Sequence, residues 1–164
     1  MNKTEEMTIN EELVLLDITA EDNLVALEEM GMLLYKQGYV KETYLKAIQE
    51  REKTYPTGLP TASVGVAIPH TDSEHVISPA VAIGILKKGV TFQMMGSPDD
   101  KVYVELIFML AIKKPEMQIT MLQKLMSIFQ KEELLLELKT LKDTKTVIAV
   151  ISKELNSEDD GVGF

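Results

Sequence analysis

His70 and His75 are the only histidines of the chain. Both follow Ser63-Val64-Gly65-Val66-Ala67-Ile68, an apolar run that reads as a strand and leads into Pro69. Groups that bind or react in open α/β sheets gather beyond the carboxyl ends of strands, and a proline keeps the chain extended as it leaves the sheet. His70 is therefore expected to be presented there, not buried. A histidine in a turn is by default an exposed or capping side chain. In this location a neutral imidazole has a sharper use: it is nucleophilic near neutral pH, and the phosphoramidate it forms is labile enough to pass a phosphoryl group onward.

Phosphoryl transfer depends on positioning and charge stabilisation more than on further covalent chemistry. The neighbouring sequence supplies candidates for that work. Thr71 and Ser73 carry hydroxyls, the turn carries backbone N–H groups, and the Thr57-Gly58 loop combines a hydroxyl with a glycine that permits close approach. Arg51 could offer a planar fork to phosphate oxygens. Spacing alone places it late in a helix, where the default is a solvated cation favoured by the helix dipole. His75 is separated from His70 by a segment containing Asp72 and Glu74. Either carboxylate could hold an imidazole N–H and fix its tautomer, or the four groups could surround a metal. The spacing matches no standard zinc signature, and the chain has no cysteine. No metal is expected, and no cofactor, since the Gly-rich nucleotide motifs, H-E-x-x-H and G-x-S-x-G are all missing.

The elements that must position these residues follow from periodicity. Leu13–Asp17 is a candidate strand. Thr19-Ala20-Glu21-Asp22 offers a cap before Leu24, Leu27, Met30, Leu33 and Leu34, which fall at helical spacing up to Gly38. A second helix runs from about Lys41 to Lys53, closed by Pro56-Thr57-Gly58. Val81–Leu86 and Tyr103–Ala111 are further apolar runs that, with Ser63–Ile68, argue for a sheet buried on both faces. Helices are expected over Glu116–Gln130, Glu132–Leu138 and Thr144–Glu154. Helical groups before and after the strands predict an α/β fold, a three-layer sandwich with a central mixed sheet covered by helices on both faces. Residues 1–10 read as a polar leader, 11–155 as the domain and 156–164 as a flexible acidic tail. The methionines sit mostly at core spacing. Phe92-Met94-Met95 falls in a polar loop region, where exposed Met would suit a docking surface.

A net charge of −9 opposes non-specific binding to nucleic acid or anionic lipid. No apolar run approaches the length of a membrane span, the N-terminus has no signal-peptide pattern, and the absence of cysteine fits a cytoplasmic location.

The segment Gly65-Val66-Ala67-Ile68-Pro69-His70 resembles the phosphorylation segment of enzyme IIA of the bacterial sugar phosphotransferase system, in its fructose/mannitol superfamily. The likeness extends to Ala47-Ile48-x-x-Arg51-Glu52, Thr57-Gly58, Leu106–Ala111 and Met121–Leu125, about Glu11 to Leu155 in all. The resemblance implies that His70 accepts a phosphoryl group from the carrier protein HPr and passes it to a cysteine of an enzyme IIB subunit, with the membrane subunit IIC reached only through the complex. It gives Arg51 a phosphate-stabilising role. Many members carry a second histidine where this chain has Gln118, which can donate a hydrogen bond but brings no positive charge. A Pro-Thr-Gly before the histidine segment, I-P-H with His75 following, and Gln118 are together most similar to the galactitol-type branch. The competing readings are a regulatory module switched by phosphorylation of His70, which would use the same residues, and a metal-binding or structural protein.

Overall fold

The computed structural model describes residues 7–162; the first six residues of the expected leader lie outside them. The fold is the expected three-layer α/β sandwich. Five strands, β1 (Val14–Ile18), β2 (Gly58–Leu59), β3 (Gly65–Ala67), β4 (Ala80–Met94) and β5 (Ser97–Ala111), form one sheet in the order β1-β4-β2-β3-β5, with β4 also paired to β5. The sheet is mixed: β1 runs parallel to β4 and β3 parallel to β5, whereas β4 and β5 form a long antiparallel hairpin.

Alternation along the hairpin builds two cores, because successive side chains of a strand point to opposite faces. Ala80, Ala82, Ile107, Met109 and Ala111 face one core, closed by Ala26, Leu27, Met30 and Leu34 of α1 (Asn23–Lys36) and Tyr44 and Ile48 of α2 (Thr43–Thr54). Val81, Ile83, Ile85, Leu106, Phe108 and Leu110 face the other. That core is covered by α3 (Pro115–Phe129), α4 (Glu132–Thr140) and α5 (Thr144–Val162). The continuous apolar runs are thus the signature of a sheet buried on both sides.

The local signals hold at α1, where the Asp22 carboxylate accepts from the Val25 N–H at 3.0 Å and caps the helix. Its far end stops at Gly38, whose φ of 88° lies in the left-handed region that glycine adopts without penalty.

Other boundaries move. The polar segment from Lys87 onward is not a loop but the second half of β4, because pairing with β5 satisfies its backbone irrespective of side-chain polarity. Phe92 is consequently fully buried against the α1–α2 core, and of the trio read as a docking patch only Met95 is exposed. The leader is not separate from the domain over residues 7–10: the Thr8 N–H donates to the Pro79 carbonyl, the Val81 N–H donates to the Thr8 carbonyl, and Met7 and Ile9 pack on the second core. The backbone of α5 continues as helix to Val162, through most of the stretch expected to be a loose tail; extending a formed helix costs far less than nucleating one.

Candidate functional site

His70 follows the end of β3, and two backbone clamps hold that end. The Ile68 N–H donates to the Thr57 carbonyl at 3.3 Å on one side, and the Leu110 N–H donates to the Pro69 carbonyl at 2.9 Å on the other. Pro69 is buried and His70 half-buried, so the expectation of a fully presented imidazole is corrected. The clamps hold the chain between Thr57 and β5 through Ile68 and Pro69, past the end of the strand at Ala67.

The ring is also oriented. His70 Nδ1 lies 2.9 Å from the Ile68 carbonyl oxygen. A carbonyl only accepts, so Nδ1 carries the proton in this contact and the neutral ring keeps its lone pair on Nε2. Burial holds the imidazole below its ordinary pKa of 6.5, and the Arg51 guanidinium acts in the same direction. The Ile68 contact and the Asp72 carboxylate pull the other way. The net effect is a lowered pKa, which favours the neutral ring and its lone pair. On titration, the His70 ring protons should show a midpoint below 6.5. A midpoint at or above 6.5 by NMR would show that burial and Arg51 do not govern this ring.

Arg51 lies late in α2, as the periodicity expected, but it is not a freely solvated cation. Its guanidinium carbon stands 4.9 Å from the centre of the Tyr55 ring, a cation–π contact that restrains the head group. Its Nε is buried with no hydrogen-bond partner. Orphaned buried donors of this kind are rare and cost free energy unless something uses them.

The other candidates separate. Thr57 is buried, and both its donors are committed to Glu52: its N–H to Oε2 at 2.7 Å and its hydroxyl to Oε1 at 2.9 Å. It therefore braces the loop and has no donor left for a phosphate oxygen. Gly58 is needed for packing, since a Cβ there would stand 2.7 Å from the Gln93 carbonyl oxygen. Thr71, next to His70, is buried, while Ser73 is exposed in a short 3-10 turn. His75 is turned to α2: its Nδ1 is 2.9 Å from Thr43 Oγ1, and its Nε2 is 3.7 Å from Glu74. Gln118 is half-buried in the first turn of α3. Among the described residues the His70 ring bonds to Ile68, not to Gln118 or His75, and no cluster of three or more His, Asp or Glu side chains could hold a metal.

Glu52 is the residue that the functional reading of the sequence passed over. A carboxylate late in a polar helix reads as solvated, and no local period links it to Thr57 across the end of α2.

A family model for the phosphoenolpyruvate-dependent sugar phosphotransferase system, EIIA 2, matches residues 7–154. The chain belongs to this family. Components of this kind transfer phosphoryl groups, so the chain is a phosphotransferase component. Among its relatives is the galactitol-specific EIIA component of Escherichia coli K12, 29% identical over 128 residues that span 78% of this chain and 85% of that one. The crystal structure of IIA mannitol from Escherichia coli superposes with a TM-score of 0.74 at 25% identity, covering 88% of this chain and 99% of that one. The same fold occurs in a solved complex of Escherichia coli enzyme IIA mannitol with phosphorylated enzyme IIB mannitol, with a TM-score of 0.75 at 22% identity over 90% of this chain and 99% of that one. Among the described residues of this EIIA chain, no helix is long and apolar enough to cross a membrane.

Proposed function

We propose that His70 is the phospho-acceptor of this EIIA chain and that it reacts through Nε2. The observation that carries the reading is the Nδ1 contact with the Ile68 carbonyl, which leaves Nε2 as the nucleophilic nitrogen, on a ring whose pKa feels the Arg51 guanidinium. The donor is the phosphohistidine of HPr. As the Nε2–P bond forms, the P–N bond of the donor breaks. The positive charge that develops on the ring is stabilised through Nδ1–H by the carbonyl, while Arg51 meets the phosphoryl oxygens. In the second step a cysteine thiolate of an enzyme IIB subunit takes the phosphoryl group, and neutral His70 is regenerated. The mannitol IIA–IIB complex of the same fold supports IIB as the acceptor. The chain acts in the cytoplasm, in uptake of a sugar or polyol. Galactitol is favoured, on the Pro56-Thr57-Gly58 and Ile68-Pro69-His70 segments, Gln118 and the galactitol-specific relative.

The test is to supply phosphoenolpyruvate, enzyme I and HPr and to follow acid-labile label on the protein, then to add IIB from a galactitol or a mannitol system. Label that moves to galactitol IIB faster than to mannitol IIB is expected. Absence of label would overturn the carrier reading, and label that no IIB accepts would favour the regulatory module. Arg51→Lys keeps the charge but loses the fork and the planar stacking on Tyr55, and should slow acceptance roughly tenfold, about 1.4 kcal/mol in the barrier. An unchanged rate would remove Arg51 from the transfer step.

A further inference from the structure

The buried polar and charged residues among those described are Glu52, Thr57 and Thr71; Thr71 follows His70 in the chain, and Glu52 and Thr57 are hydrogen-bonded in series to Ile68, two residues before it. Glu52 is 3% exposed, an expensive place for a carboxylate. From the geometry we infer that Glu52 is a positioning residue for phosphoryl transfer: through Thr57 it fixes the backbone that selects the His70 tautomer. This rests on His70 being the acceptor.

The contacts form one chain. Glu52 accepts from the Thr57 N–H at 2.7 Å and from its hydroxyl at 2.9 Å, which immobilises the loop after α2. The Thr57 carbonyl so placed accepts from the Ile68 N–H at 3.3 Å. The Ile68 carbonyl, in turn, accepts from His70 Nδ1 at 2.9 Å. The second clamp, from Leu110 to Pro69, holds the strand end to β5. On the other side the Thr57 carbonyl, braced by Glu52, anchors the Ile68 peptide. Two hydrogen bonds from one residue to one carboxylate fix both position and rotation, which a single contact cannot do. Burial drives the Glu52 pKa up to about 7, against the Thr57 bonds and the charge of Arg51, so the side chain is retained here at a cost in stability.

Two variants separate positioning from bulk. Glu52→Leu keeps an apolar filling of similar size and removes both acceptors. Glu52→Gln can accept from the Thr57 N–H with its oxygen and donate to the Thr57 hydroxyl with its amide, so the brace survives without charge. In nitrogen NMR spectra of the unphosphorylated protein, wild type and Glu52→Gln should show the His70 ring with its proton on Nδ1, and Glu52→Leu a mixture of tautomers. Acceptance from phospho-HPr should fall at least tenfold in Glu52→Leu and stay within threefold of wild type in Glu52→Gln. If Glu52→Leu does not fold, Thr57→Val, which removes only the hydroxyl bond, should move both readouts in the same direction by a smaller amount. A single Nδ1–H tautomer in Glu52→Leu, or in Thr57→Val should it be needed, would overturn the inference, as would a Glu52→Gln as slow as Glu52→Leu. The tautomer is read without any phosphoryl donor. A wild type that takes no label while its tautomer responds to Glu52 would therefore reject the acceptor reading, and with it the role in transfer, and leave only the control of the tautomer by Glu52 standing.

Discussion

Replacing His70 by Ala should abolish acid-labile labelling by phosphoenolpyruvate, enzyme I and HPr while the protein stays folded. The expected loss is complete because the reaction needs a nitrogen lone pair at one place, and removing the nucleophile of a covalent relay leaves no partial route. The structural cost is small by comparison. The ring is half-buried and makes one hydrogen bond, to the Ile68 carbonyl; losing such a bond costs about 1 kcal/mol. His70→Gln is the companion variant, since its amide can still donate to that carbonyl but cannot carry a transferable phosphoryl group. Both variants should melt close to wild type and carry no label. Label persisting on His70→Ala would move the acceptor to His75, the only other histidine in the sequence.

Gly65→Ala should be the most damaging single-atom change near the site. Gly65 pairs with Val104 at the start of β3, where the register with β5 shifts before Val66. A Cβ at Gly65 would stand 2.0 Å from the Tyr103 carbonyl oxygen and 2.9 Å from its carbon. The obstacle is backbone, and β5 cannot yield because its other edge is paired to β4 through Thr91↔Tyr103 and Val90↔Val104. Overpacking against a flexible side chain costs about 1–3 kcal/mol; against a fixed strand we expect about 3 kcal/mol or more. For a chain of this length that lowers the melting temperature by roughly 6–12 °C. His70 is carried on the same strand exit, so acceptance should fall even in the folded fraction. A variant that melts like wild type would show that β3 and β5 have more freedom than their pairing implies.

Much of the fold was legible because its signals are local. The Asp22 cap, the helical spacing of Leu27, Met30 and Leu34, the stop at Gly38 and the continuous apolar runs Val81–Leu86 and Tyr103–Ala111 each report a backbone state over a few residues, and in these places local preference agrees with the global packing. β2 was missed because two residues carry no period. The second half of β4 was missed because its exposed Lys87, Lys88, Thr91 and Gln93 read as loop until the hairpin partner is known.

The site divides along the same line. By itself the sequence determined the chemistry available: an imidazole after a strand and a proline, a guanidinium upstream at the end of a helix, and no cysteine or nucleotide motif to compete with them. Only the tertiary structure decided how those groups are used. It turned His75 away to Thr43, committed Thr57 to Glu52, left the Arg51 Nε without a partner and put the proton of His70 on Nδ1. Residue type and spacing set what a side chain can do. Which nitrogen reacts, and whether a carboxylate is buried, depend on contacts between α2, the exit of β3 and the end of β5, which are distant in sequence and meet only when the two cores close on the sheet.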